Sequence, residues 1–209
     1  IRHKFFFCLK LAVLSNNDGC CVSRSNEFKA LGISMGTPYF QLKHREKSGE
    51  ISFCSSNYEL YGDMSRRIIS ILRDESVDIE QYSIDEAWVD MTGTQRIFGP
   101  PVLAADALRR RVLDELGFTV NVGISSNKLL AKMAGDFEKP NKIHTLFPEE
   151  VPTKFWPLPV RDLFLVGAAT ERKLKMLGIY TIGDLAKADV SVLKRRLGKH
   201  GETIWHFAN

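Results

Sequence analysis

The sequence predicts an α+β fold, a mixed or antiparallel sheet with helices packed on one face, followed by a small all-α module. Three observations carry that prediction. Short alternating runs interleave with helical stripes through residue 147. Pro148, Pro152, Pro157 and Pro159 then punctuate the chain, and everything after them is helical in pattern.

Residues 11–15 and 20–23 read as short strands joined by Asn16-Asn17-Asp18-Gly19, a strong turn signal. Ser25 supplies the capping hydroxyl for a helix from Ser25 to Leu31, which Gly32 stops. Pro38 opens a second short helix, and Ile51 to Cys54 reads as a strand. Leu60, Met64, Ile68, Ile71 and Leu72 recur at helical spacing on one face. Val77, Ile79 and Gln81 alternate with Asp78, Glu80 and Tyr82, and Ala87, Val89 and Met91 alternate with Trp88 and Asp90, which predicts a tight hairpin. Pro100-Pro101 starts a helix striped by Ala104, Leu108, Val112 and Leu116. Val120, Val122 and Ile124 alternate as a strand, and a helix from about Ser126 to Phe137 buries Leu129, Leu130, Met133, Ala134 and Phe137. Beyond the proline-rich linker, Leu163 to Val166, Leu174, Leu177, Ile182, Leu185, Leu193 and Leu197 suffice for a small bundle of short helices.

Composition bounds the function. A chain of 209 residues with 44% hydrophobic content fits one ordinary domain plus a smaller one. Cys8, Cys20, Cys21 and Cys54 form neither a Cys-x-x-Cys pair nor an even framework, which argues against structural zinc and a disulfide scaffold and makes a reducing cytoplasm the expected compartment. The apolar run Phe5–Cys8 is far too short to span a bilayer, and residues 1–14 carry no small-residue cleavage site, so neither membrane insertion nor secretion is expected. Residues 160–209 hold nine Lys/Arg against five Asp/Glu, while the rest of the chain is balanced. The net charge of +4 therefore resides in the last quarter, either as a nucleic-acid grip or as a solvated helical surface.

The candidate chemistry centres on Asp85 and Glu86. Adjacent side chains on a regular strand point to opposite faces, so the two carboxylates can serve one site only where the backbone turns. Two anions at the tip of a hairpin suit a divalent cation used in phosphoryl chemistry; a polar hairpin turn is the alternative reading. Val122 to Lys132 sets a strand end against a helix start, where free N–H groups favour anions. Asp136-Phe137-Glu138-Lys139-Pro140-Asn141 places Lys139 at a turn, either to meet phosphate or as an ordinary surface lysine. Arg24-Ser25-Asn26-Glu27-Phe28-Lys29 carries cations at both ends of one helical turn, which equally describes a plain helix start.

Taken together, these motifs resemble the Y-family translesion DNA polymerases, most closely the UmuC-like branch of bacterial DNA polymerase V, over about residues 11–209. Val13-Leu14-Ser15-Asn16-Asn17-Asp18-Gly19-Cys20, Arg24-Ser25-Asn26-Glu27, Lys29-Ala30-Leu31-Gly32-Ile33 and Ser55-Ser56-Asn57-Tyr58-Glu59-Leu60-Tyr61 are similar to that branch. Ser83-Ile84-Asp85-Glu86-Ala87 resembles the family's palm motif, and Gly123-Ile124-Ser125 through Lys139-Pro140 its second palm signature. The resemblance implies a palm over 51–147 with its divergent start in 1–14, fingers over 15–50, a linker over 148–159 and a helix-hairpin-helix thumb over 160–209, with no little finger. It implies two Mg²⁺ ions, Asp85 as ligand to both and Glu86 as ligand to one, with Lys139, Lys29 and Arg24 on the triphosphate of an incoming dNTP. Lys173, Lys175, Lys194, Arg195, Arg196 and Lys199 would contact the phosphates of primer-template DNA. The implied activity is DNA synthesis past damaged bases in the SOS response and DNA repair, near the bacterial nucleoid. Implied partners are a UmuD-like subunit, a RecA-like recombinase and a sliding clamp, the clamp-binding region lying outside this chain.

Two departures from the family pattern qualify the expected activity. No residue from 1 to 17 is Asp or Glu, so a third ligand carboxylate is expected upstream of Ile1, and Leu165-Val166-Gly167-Ala168-Ala169 stands where the family shows Gly-Val-Gly. The 209-residue chain alone is thus expected to incorporate nucleotides poorly or not at all, as a fragment of a catalytic parent or as a non-catalytic DNA-binding or partner-binding remnant. An unrelated metal-dependent phosphohydrolase would keep Asp85 and Glu86 but leaves the other motifs unexplained.

Overall fold

The computed structural model describes residues 10–16, 19–76 and 78–209, so the Asn17-Asp18 turn, Cys8, the run Phe5–Cys8 and Val77 lie outside the described residues. The chain divides into two units, residues 1–64 and 65–209, with the break inside one long helix.

In the first unit, strand β1 (Leu11–Leu14) is central, antiparallel to β2 (Cys21–Arg24) and parallel to β3 (Ser52–Ser55). A parallel partner needs a crossover, supplied here by α1 (Asn26–Lys29) and α2 (Tyr39–Lys47). The Ser25 hydroxyl caps α1 by accepting from the Phe28 N–H at 3.1 Å. The helix expected to reach Leu31 ends at Lys29, because the Leu31 and Gly32 N–H groups bond three residues back and Gly32 adopts φ +73°. Ala12, Cys21, Phe28, Ile33, Leu42 and Ile51 form the core, and Phe53 packs in T-shaped contacts with Phe28 and Tyr39, ring centroids 6.0 and 5.3 Å apart.

The long helix α3 (Tyr58–Glu75) runs into the second unit. Its buried stripe includes Ser65, Ile69, Ile71 and Leu72, whereas Leu60, expected on that stripe, is exposed. The hairpin appears where alternation places it, as β4 (Ile79–Gln81) antiparallel to β5 (Ala87–Val89) with Gln81 opposite Ala87. A short helix α4 (Gln95–Phe98), unmarked in the sequence, precedes α5 (Pro101–Leu116), which Pro101 starts and left-handed Gly117 ends.

Strand β6 (Val122–Ile124) pairs in parallel with β7 (Ile143–Thr145), and the crossover between them contains α6 (Lys128–Gly135). Val120 falls outside β6, and the helix expected from about Ser126 to Phe137 spans only Lys128–Gly135, capped by Asn127, whose Oδ1 accepts from the Leu130 N–H at 2.8 Å. With only three or four residues each, the described strands pair in three small sheets, where a single one was expected.

The proline-rich segment is built of a 3₁₀ turn, Pro148–Glu150, and a wider π-helical turn, Val151–Phe155, followed by another 3₁₀ turn at Val160–Asp162. Phe155 and Val160 are buried in the same core as Leu130, Met133 and Ala134 of α6. That core continues through α7 (Ala168–Lys175), α8 (Ile182–Lys187), α9 (Val190–Leu197) and α10 (Lys199–Ala208), where Leu174, Ile182, Leu185, Leu193 and Ile204 are fully buried. Among the described residues, no helix is long and apolar enough to cross a membrane.

Candidate active site

The site grows from the tip of the β4–β5 hairpin. Its loop closes because the Tyr82 and Ser83 N–H groups both bond the Glu86 carbonyl, at 3.0 and 3.1 Å, and the Gln81 side chain donates to the Ser83 carbonyl at 3.0 Å. The Ser83 hydroxyl donates to Asp85 Oδ1 at 2.6 Å and accepts from the Asp85 N–H at 3.3 Å. This small serine-aspartate turn presents an exposed Asp85 beside a half-buried Glu86.

Helix α6 supplies the cations that face the hairpin. Lys128 and Lys132 are four residues apart and so share one helix face. Lys128 bonds Glu80, its ammonium lies 5.8 Å from the Trp88 ring, and the Trp88 indole N–H donates to the Lys128 carbonyl at 2.9 Å. Lys132 donates to Glu86 Oε1 at 2.6 Å, stands 3.6 Å from Asp136 Oδ2, and lies 5.5 Å from the Phe164 ring. Its side chain is only 15% exposed. Burial pushes the Lys132 ammonium down, but the Glu86 hydrogen bond and the charges of Asp136 and Glu86 outweigh it and hold its pKa above the usual lysine value.

Close approach of α6 to the sheet is a glycine property. A Cβ on Gly123 would stand 1.9 Å from the Ala131 carbonyl oxygen and 2.4 Å from the Gly135 nitrogen. Below the hairpin an aromatic series continues, Trp88 to Tyr82 at 5.1 Å, Tyr82 to Phe164 at 6.1 Å and Phe164 to Phe207 at 6.1 Å.

The remaining expected site residues fall in four places. Lys139 is exposed four residues beyond the end of α6 and pairs with Asp136 at 2.7 Å, so Asp136 is shared by Lys132 and Lys139. Arg24 and Lys29 belong to the first unit, where Arg24 donates to the Ile33 carbonyl and Lys29 to Asn26 Oδ1 at 3.4 Å. Lys173 and Lys175 occupy the last turn of α7, with Lys175 bonded to Glu171 at 2.8 Å. Lys194, Arg195 and Arg196 occupy the last turn of α9, with Lys194 3.0 Å from Glu202, and exposed Lys199 opens α10.

Lys132, Asp136, Lys128, Trp88 and Phe164 were not anticipated as site residues. Lys128 and Lys132 could have been found from their i, i+4 spacing beside a motif already singled out; Phe164 carried no such signal because it comes from a distant segment.

Among the described residues, no three His, Cys, Asp or Glu side chains gather around one point. Two carboxylates nevertheless fit Mg²⁺, which is commonly held by one or two carboxylates with water and substrate phosphates completing its oxygen shell. Asp85 uses Oδ1 on Ser83 and Glu86 uses Oε1 on Lys132, which leaves Oδ2 and Oε2 for a cation.

Comparison with known proteins agrees with this architecture. Residues 9–136 match the impB/mucB/samB family, and residues 148–179 match the IMS family HHH motif. The chain is 42% identical to DNA polymerase IV of Clostridium acetobutylicum over 91% of its own length and 48% of the relative's. It is 40% identical to DNA polymerase IV 2 of Bacillus subtilis over 79% of its length and 41% of the relative's. It thus spans about half the length of the curated relatives it matches. Among solved structures, DinB from Sulfolobus solfataricus superposes with a TM-score of 0.84 at 26% identity, covering 96% of this chain and 60% of that one. An insertion ternary complex of Dbh DNA polymerase gives 0.82 at 26% identity, covering 95% and 59%.

Proposed function

The chain belongs to the impB/mucB/samB family of Y-family DNA polymerases, and from that premise we propose that it serves template-directed DNA synthesis past damaged bases by nucleotidyl transfer. The observation that carries this reading is the hairpin tip, where Asp85 and Glu86 stand beside a helix that bears Lys132 and leads to Lys139. Asp85 and Glu86 would hold Mg²⁺, which when bound supplies charge neutralisation at the phosphoryl group being transferred. Lys139 would exchange its Asp136 partner for the triphosphate of the incoming dNTP, an exposed ion pair being inexpensive to break. Arg24 and Lys29 are the candidate triphosphate contacts of residues 15–50, taken as fingers, with 51–147 as palm and 160–209 as thumb.

Lys173, Lys175, Lys194, Arg195, Arg196 and Lys199 would neutralise backbone phosphates of primer-template DNA, positioning the duplex without reading its sequence. The names of the relatives favour a DNA polymerase IV-like branch. The Val13–Cys20, Arg24–Glu27, Lys29–Ile33 and Ser55–Tyr61 segments carry the alternative, UmuC-like branch with its SOS role and its UmuD-like, recombinase and clamp partners.

Single-nucleotide incorporation on a primer-template with Mg²⁺ by the longer catalytic parent tests the proposal, since the 209-residue chain alone is expected to incorporate poorly or not at all. Incorporation that falls at least about 100-fold in Asp85→Asn is the expected result. Undiminished incorporation by that variant would overturn the assignment of Asp85, and DNA binding with no incorporation by the parent would favour a non-catalytic DNA-binding role.

A further inference from the structure

Lys132 is held more tightly than a surface lysine has reason to be. Its side chain is 15% exposed and its ammonium meets groups from three segments: Glu86 at 2.6 Å from the hairpin, Asp136 at 3.6 Å from the end of α6, and the Phe164 ring at 5.5 Å. The distance between α6 and β6 is set by Gly123, which admits no side chain, so the ammonium is delivered by rigid backbone. The Glu86 carboxylate accepts this charge-assisted bond on Oε1.

We propose that Lys132 is a positioning residue for the carboxylate site, fixing Glu86 by its Oε1 atom and, as a resident positive charge, restraining the site from binding a divalent cation tightly before a nucleotide brings its own negative charge. The inference rests on the reading of Asp85 and Glu86 as cation ligands. A dication held by Glu86 would stand within a few ångströms of the Lys132 ammonium, where repulsion lowers affinity by about tenfold even at the dielectric constant of water. Asp136 offsets part of that charge and holds it in place. Once a triphosphate occupies the site, the same ammonium becomes favourable, so cation and nucleotide binding are coupled through one lysine.

Mn²⁺ binding to the 209-residue chain without nucleotide, followed by electron paramagnetic resonance, is the test. The parent should bind Mn²⁺ in a manner that Glu86→Gln weakens. Lys132→Met, which retains an apolar stem against Phe164, should bind Mn²⁺ about tenfold more tightly, and Lys132→Arg should return to within about threefold of the parent. In the Glu86→Gln background the gain from Lys132→Met should vanish. Should Lys132→Met fail to fold, Lys132→Gln carries the same expectation. Glu86-dependent binding that removal of the Lys132 charge leaves unchanged or weakened overturns this inference and leaves the cation site standing. Binding indifferent to Glu86→Gln overturns the cation-site reading itself, and this inference with it.

Discussion

Gly123 and Ala131 meet backbone to backbone: an added Cβ on Gly123 would lie 1.9 Å from the Ala131 carbonyl oxygen. No flexible side chain stands between them to yield, so Gly123→Ala must push α6 off the β6–β7 pair. We expect a loss of about 3 kcal/mol or more, read as a lowered thermal midpoint of residues 65–209, and loss of Glu86-dependent Mn²⁺ binding. An unchanged midpoint would show that helix and strand have room for the added methyl group.

Asp184 predicts a pH effect of definite sign. Its carboxylate accepts from the Thr181 and Tyr180 N–H groups at 2.9 and 3.1 Å, completing a reciprocal cap with Thr181, and these bonds hold its pKa below the usual aspartate value. A lowered folded pKa stabilises above the unfolded value of about 3.9 and loses that stability as pH falls through the folded one. Asp184→Ala should therefore cost about 1 kcal/mol at pH 7, with parent and variant converging below about pH 4. Denaturant melts at pH 7 and pH 3 give both numbers.

Lys139 and Asp136 predict opposite changes in nucleotide affinity. Removing the cation with Lys139→Ala should weaken dNTP binding by about tenfold. Asp136→Asn removes the counter-ion that occupies Lys139 and should tighten dNTP binding severalfold. Fluorescent-nucleotide titration on the folded variants distinguishes this from a general loss of the site, in which both changes would weaken binding.

The basic turns of α7 and α9 predict a salt signature. Replacing Arg195 or Arg196 with Ala should weaken duplex binding almost equally for all sequences and lower the slope of log affinity against log salt by about 1 for each phosphate no longer neutralised. A variant with parent affinity and slope would remove that arginine from the DNA interface.

Much of the fold was legible because local rules sufficed. Ser25 capped α1 as its hydroxyl implied, the alternation around Asp85 marked the hairpin, and Pro101 starts α5. Strand β7 and helix α4 escaped notice because three- and four-residue elements carry no period, and Leu60 fell off its stripe because spacing defines a face but not the extent of its cover. The proline-rich stretch marked a break in pattern, yet Phe155 and Val160 within and beside it are buried. Proline density reports backbone stiffness and says nothing of what the intervening side chains pack against.

The residues themselves determined that two carboxylates sit at a turn, that a glycine-bearing strand precedes a lysine-bearing helix, and that the positive excess lies at the end of the chain. These are properties of neighbours in sequence, set by alternation, capping and charge. Tertiary structure alone decided that Glu86 meets Lys132, forty-six positions away, and that Lys132 shares Asp136 with Lys139 against Phe164. Such pairings depend on how closely α6 can approach the sheet, a distance governed by the missing side chain of Gly123.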